Sequence, residues 1–145
     1  MFREIVKFIS DRTGFPMGPG SRIQFGHQVQ QAPPRMVLIQ EAGGATYFYP
    51  NEDMADFMVQ VLCRAPSYFE AREDAWVVYK AIHGTSGWNL PRIDGSGEDY
   101  IAMTIDAVYL PQYLGEDEDR RHIFSTNYVF RMEEGSCREF VSGSP

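Results

Sequence analysis

Four consecutive carboxylates are the part of the sequence best suited to chemistry. They are Glu116, Asp117, Glu118 and Asp119. Carboxylate oxygens are the ligands that calcium and magnesium prefer, so a divalent-cation site is one interpretation. The run lacks the alternating D-x-D-x-D-G spacing of a calcium loop, and Arg120 and Arg121 follow it directly. The pattern therefore favours a solvated acidic loop, and we predict neither a metal nor a cofactor.

The other reactive residue types have no partner at a useful spacing. The histidines His27, His83 and His122 lack the i, i+4 or His-x-His spacing of a metal site. Cys63 and Cys137 do not form a C-x-x-C pair, and the chain contains neither a G-x-S-x-G elbow nor a P-loop. Although catalytic groups can be assembled from distant residues, the sequence favours a protein that is not an enzyme and has no catalytic residues.

Composition restricts the class of partner. The chain has 145 residues, the usual size of one domain, and its 43% apolar content is ordinary for a globular protein. Acidic residues outnumber basic ones by 20 to 13, giving a net charge of −7, whereas nucleic-acid binders normally present a basic face. No apolar run approaches the roughly 20 residues that cross a bilayer, and no signal peptide is visible. We expect a cytosolic protein that binds neither membrane nor specific DNA.

Two segments have helical spacing. The pattern predicts a short helix over Phe2–Arg12 and a long one over Ser67–His83. Ser67 and Glu70 have the spacing of a capping box, and Gly84 suits the left-handed position after a helix. The long helix is predicted to bury a stripe formed by Ala75, Val78 and Ile82.

Strand patterns occupy much of the remaining chain. Alternation predicts six strands: Arg22–Val29, Arg35–Ala42, Ala45–Tyr49, Asp56–Arg64, Asp99–Tyr109 and Arg121–Glu133. Gly43–Gly44 predicts a hairpin between the second and third strands. Asp56–Arg64 is apolar on both faces, as in a central strand covered on both sides. Thr85–Glu98 and Leu110–Arg121 are predicted loops.

This element order predicts an α+β fold. We expect a mixed, mostly antiparallel sheet, with the long helix and the short N-terminal helix packed on it. Residues 1–134 are predicted to form a single domain, and residues 135–145 a flexible C-terminal tail.

Three runs of the sequence resemble a known family. They are PPRMVLIQEAGG, DFMVQVLCRAPSYFEAREDAWVVYKAIHG and LPQYLGEDEDRRHIFSTNYVFRM, which together cover roughly Pro33–Met132. They are similar to the minor capsid or tail terminator proteins of long-tailed bacteriophages. The most telling features are a strand ending in Cys-Arg-Ala before the long helix, and Pro111-x-Tyr113-Leu114-Gly115 ahead of the last strand.

The resemblance implies a structural virion protein of the tail and neck, assembled in the host cytoplasm. Such proteins form a homo-hexameric ring that caps the tail tube, ends its polymerisation and docks to the head connector or stopper protein. DNA would pass through the lumen without specific binding, which suits an acidic ring. The acidic run at residues 116–119 is therefore a candidate lumen or docking loop.

Aromatic side chains are candidates for contacts between ring subunits. Tyrosine and tryptophan are typical of protein interfaces, and the candidates are Trp88, Tyr47 and Tyr49. For Trp88 the alternative is that it folds back onto its own domain. Three other functions stay open: another neck protein such as a stopper or adaptor, a small hydrolase or nuclease using the acidic residues, and a ligand-binding module.

Overall fold

Two helices pack on one face of an eight-stranded sheet in the computed structural model, which describes residues 1–26, 33–42, 47–48, 54–93, 95 and 99–133. In chain order the elements are α1 (Phe2–Thr13), β1 (Ile23–Phe25), β2 (Met36–Glu41), β3 (Tyr47–Phe48), β4 (Met54–Ala65), α2 (Tyr68–Ile82), β5 (Thr85–Leu90), β6 (Tyr100–Ala107), β7 (Gln112–Glu116) and β8 (His122–Glu133). The predicted α+β class is confirmed. The predicted tail at residues 135–145 lies outside the described residues.

The sheet is built around a long antiparallel pair, β4 and β8. Their register runs from Met54 opposite Glu133 to Ala65 opposite His122. The strand order is β1-β2-β4-β8-β6-β5, while β3 pairs with β4 and β7 pairs with β8. Within the described ranges, β1 and β2 are the one parallel pair of strands, so the sheet is mixed and mostly antiparallel, as predicted.

The two faces of the sheet differ in burial. Alternate residues of β4, from Phe57 to Ala65, are buried beneath the helices with the apolar stripes of α1 and α2. Ala75, Val78 and Ile82 are buried as predicted. The residues between them on β4, including Met58 and Leu62, point to the opposite face and are half-buried. We term this second face the open face, because no helix of the described chain packs on it. Met36 and Leu38 of β2 lie on this face beside Arg64 and Leu62, and they are only 3% and 7% exposed. That β4 is covered on both sides therefore stays a prediction.

The ends of α2 agree only in part with the sequence pattern. Gly84 adopts the predicted left-handed conformation, with φ of 76°. The capping box is wrong, because Ser67 makes no side-chain cap hydrogen bond. Glu70 instead accepts a hydrogen bond of 3.2 Å from Nη1 of Arg35, which precedes β2. Its carboxylate thus connects α2 to the sheet.

A buried carboxylate strengthens the same connection. Asp74 of α2 is 1% exposed and accepts hydrogen bonds of 3.0 and 2.8 Å from Arg35. Arg22, just before β1, donates a longer bond of 3.4 Å to Asp74 Oδ1. One acid therefore ties the middle of α2 to the segments that enter two strands.

Two predicted loops contain strands. Thr85–Glu98 includes β5, where Gly87 takes a φ of 70° between the paired residues Ser86 and Trp88. Leu110–Arg121 includes β7, whose register with β8 shifts between Tyr113 and Gly115. Both strands are largely exposed and interrupted at a glycine, so neither alternates in the way a half-buried strand does.

The predicted hairpin partner was also wrong. The strand β2 pairs antiparallel with β4, and β3 pairs with β4 at Tyr47 opposite Asp56. The glycines of the proposed turn, Gly43–Gly44, lie outside the described residues. The long apolar β4 offers more buried pairing surface than the short β3, which explains the choice of partner.

Candidate functional site

Three of the four acidic residues, 117–119, lie in the turn from β7 to β8, which we term the acidic turn, and Asp117 organises it. Asp117 Oδ1 accepts hydrogen bonds of 2.9 Å from the backbone N–H groups of Asp119 and Arg121. The N–H of Asp117 donates in turn to the carbonyl of Arg121 at 2.9 Å. The hydrogen bond from the Arg121 N–H holds the pKa of Asp117 below its usual value, although partial burial opposes it; the Asp119 N–H and the charge of Arg64 also lower it. Asp117 is therefore a structural carboxylate.

The remaining acids differ from Asp117 and from one another. Glu116 is half-exposed, and its Oε1 lies 3.6 Å from Nε2 of His122. Glu118 and Asp119 are exposed, and their carboxylates make no ion pair within the described part of the chain. The four residues that the sequence groups together therefore have different surroundings, and Glu118 and Asp119 are the two whose carboxylates have no charged or histidine side chain against them in the described ranges.

A cavity of about 310 Å³ opens beside the acidic turn on the open face. We term it the open-face pocket. The described residues that line it are Met36, Leu38, Leu62, Arg64, Asp117, Glu118, Asp119 and Ile123. The apolar side chains come from the neighbouring strands β2, β4 and β8, which the sheet holds in register. The site thus combines an apolar floor with an acidic rim.

Arg64 connects the floor of this pocket to its rim. Its side chain is 13% exposed, and Nε lies 3.3 Å from Oδ2 of Asp117. That nitrogen is buried and makes no hydrogen bond of good geometry, so the contact is a charge interaction only. The pairing neutralises Asp117 and leaves Glu118 and Asp119 to set the charge of the rim.

Exposed apolar side chains gather at the start of α2 and along β7. Phe69 is 75% exposed, Leu114 56%, Tyr113 41% and Tyr68 37%. The Tyr68 ring contacts Phe69 and Tyr113 at centroid distances of 5.3 and 5.1 Å. The sequence reasoning missed this cluster. Phe69 could have indicated it in the sequence, because this large apolar residue lies outside the buried stripe of the predicted helix.

Trp88 packs against its own domain and keeps part of its ring exposed. Its ring centroid lies 5.6 Å from that of Phe8 on α1, and the Arg12 guanidinium lies 4.7 Å above the ring. The side chain of Tyr47 and the whole of Tyr49 lie outside the described residues. Trp88 does not line the open-face pocket.

The described residues contain no group of three or more His, Cys, Asp or Glu side chains that could hold a metal ion. Cys63 is buried in the core, and burial raises the pKa of its thiol, so it packs as an apolar residue. Among the described helices, none is both long and apolar enough to span a membrane.

Comparison with known families returns a match over most of the chain. The family model described as bacteriophage tail terminator protein matches residues 8–134, which include α2, the acidic turn and the open-face pocket. No curated protein sequence matches the chain.

Proposed function

The chain belongs to the bacteriophage tail terminator family, and we propose that it forms a homo-hexameric ring that caps the tail tube and ends tube polymerisation. The family is structural, so the chain is a component of the virion. The family match over residues 8–134 is the observation that carries the proposal. It also favours a terminator over a stopper, an adaptor or a small hydrolase.

We further propose that the ring sits at the neck, between the tail tube protein and the head connector or stopper protein. A ring between two partners needs a different surface for each, and the exposed residues supply chemically different ones. The apolar cluster around Phe69 suits a contact that excludes water, whereas the acidic turn suits a polar contact. Assembly in the host cytoplasm completes the proposal.

The acidic turn is proposed to lie at the lumen or on a docking face of the ring. Glu118 and Asp119 carry its free charge, because Asp117 is occupied by its own turn and by Arg64. A net negative ring does not hold passing DNA, since like charges repel. The subunit interface is proposed to include Trp88, Tyr47 and Tyr49, with Trp88 contributing the part of its ring that stays exposed.

A tube polymerisation assay tests the function. Purified tail tube protein is assembled on its initiating structure, with and without this chain, and tube lengths are measured by electron microscopy. We expect tubes of limited length, each ending in a ring with a central hole of DNA width. The proposal is wrong if tubes keep growing and the chain binds only to filled heads or to neither partner.

A further inference from the structure

The open-face pocket is an apolar cavity with unpaired charge at its mouth. Met36, Leu38 and Leu62 contribute apolar surface to its floor, and Glu118 and Asp119 stand exposed at its rim. The cavity of about 310 Å³ is at the small end of the range for ligand pockets, which suits one or two side chains better than a large cofactor. Its chemistry selects an occupant with an apolar tip and a nearby positive charge.

The chain carries such a group on its opposite face. Phe69 of α2 is the most exposed large hydrophobic residue of the described chain, at 75%. Arg72 follows three positions later on the same helix, so the two side chains are neighbours. Arg72 is exposed and makes no ion pair within the described ranges; its guanidinium lies 5.6 Å from the centre of the Trp76 ring. We term Phe69 and Arg72 together the α2 knob.

A single chain cannot bring knob and pocket together. The α2 knob projects from the face that carries the helices, and the pocket opens on the open face, so the sheet separates them. Two different surfaces that fit each other across two copies make a head-to-tail contact, and this contact generates a ring when the rotation closes. One repeated contact would then cover the exposed α2 knob of each copy and fill the open-face pocket of its neighbour.

We propose that the α2 knob of one copy inserts into the open-face pocket of the next. The Phe69 ring fills the apolar floor, and the Arg72 guanidinium pairs with Glu118 and Asp119 of the neighbouring copy. This inference rests on the proposed ring, and it assigns both Phe69 and the acidic turn to docking between subunits in place of contacts with the tail or head partner. A second copy is favoured over another protein because the chain itself supplies both complementary halves, apolar to apolar and positive to negative.

Charge reversal with mixing tests the contact directly. One variant carries Arg72→Glu, and the other carries Glu118→Lys with Asp119→Lys. Each variant alone places like charges at every contact, so we expect each to lose ring mass in light scattering and to give no rings in electron micrographs. Mixed in equal amounts, the two variants pair opposite charges at every contact of an alternating ring, and we expect rings to return.

Matched controls separate this result from general damage. Lys80→Glu reverses another exposed charge on the same helix, and Asp106→Lys reverses an exposed acid on β6. Both should form rings like the wild type. Circular dichroism should show that all variants stay folded, as expected for exposed positions.

The outcomes also distinguish the contact from the function. If the double variant Phe69→Ser with Arg72→Glu still forms rings like those of the wild type, the contact between knob and pocket is overturned while the tail terminator function stays intact. Failure of the mixture to restore rings would overturn the contact in the same way. A wild-type chain that stays a single copy at every concentration, and does not cap tubes, would overturn both proposals.

Discussion

At the scale of single residues, identical side-chain chemistry has different consequences in the acidic turn. The sequence predicts a solvated acidic loop, and Glu118 and Asp119 fit that prediction. Asp117 departs from it because its carboxylate accepts hydrogen bonds from two backbone N–H groups of the turn. Residue type alone does not distinguish the three, since each is a carboxylate in one run. The difference depends on the position of each residue relative to the start of β8.

Removing the Asp117 carboxylate should loosen this turn. Asp117→Ala leaves two backbone N–H groups without their acceptor and removes the charge partner of Arg64. We expect the free energy of unfolding to fall by about 1–3 kcal/mol, measured by chemical denaturation. Asp119→Ala removes a carboxylate two residues away and should change stability by less than about 0.5 kcal/mol. Equal losses in the two variants would contradict the structural role of Asp117.

The same carboxylate should make stability depend on pH. The pKa of Asp117 is lowered in the folded state, mainly by the hydrogen bond from the Arg121 N–H, so the unfolded chain binds its proton more readily. Its contribution is therefore fully present above the unfolded pKa of about 3.9, and is lost as pH falls through the lower folded value. We expect the stability difference between wild type and Asp117→Asn to be largest near neutral pH and to shrink below about pH 4. A difference that grows on acidification would contradict this sign.

At the scale of elements, the long apolar segments were predictable from the sequence, whereas the exposed strands β5 and β7 were not. The strand β4 and the helix α2 bury regular stripes, so periodicity finds them. The strands β5 and β7 are exposed and contain Gly87 and Gly115, so no alternation marks them. Their strand conformation comes from pairing with β6 and β8, which is tertiary information. The open-face pocket depends on that pairing too, because the acidic turn is placed by β7 and β8.

The joint between α2 and the sheet depends on Asp74. This carboxylate is buried and accepts two short hydrogen bonds from Arg35. Asp74→Ala should lower the free energy of unfolding by about 1–3 kcal/mol, because the hydrogen bonds from Arg35 and Arg22 are lost while Glu70 still pairs with Arg35. Glu73→Ala is the matched control: that side chain is 69% exposed and lies 3.8 Å from the same arginine, so its loss should cost less than about 1 kcal/mol. Thermal or chemical unfolding of both variants gives the comparison.

A double-mutant cycle isolates the ion pair itself. If Asp74 acts through Arg35, the loss in the double variant with Arg35→Ala should be well below the sum of the two single losses. Additive losses would mean that Asp74 stabilises α2 by another route. The sequence gives no signal for this pair, since Arg35 and Asp74 are 39 positions apart.

At the scale of the whole molecule, the sequence predicts the family better than it predicts which surfaces contact partners. The resemblance over roughly Pro33–Met132 is confirmed by the family match to residues 8–134. Knowing the family does not indicate which loop faces which partner, because that depends on which faces remain uncovered. The open face and the exposed Phe69 become visible only when both helices are seen to occupy one side of the sheet.

Charge should determine how the assembled ring treats DNA. Each chain carries −7, so six copies in the proposed ring would carry −42, and a duplex in its lumen would meet net repulsion. We expect the purified ring not to retain labelled duplex DNA even at about 50 mM salt, where phosphate contacts with basic proteins are strongest. Fluorescence anisotropy across a salt series measures this directly. Binding that weakens steeply with salt would reveal a basic lumen and contradict the prediction, because counterion release requires clustered lysine or arginine. Asp106→Lys rings are the matched control, since each chain loses one negative charge and gains one positive charge. Retention by these rings alone would place β6 at the lumen and confirm that the native charge keeps DNA free to pass.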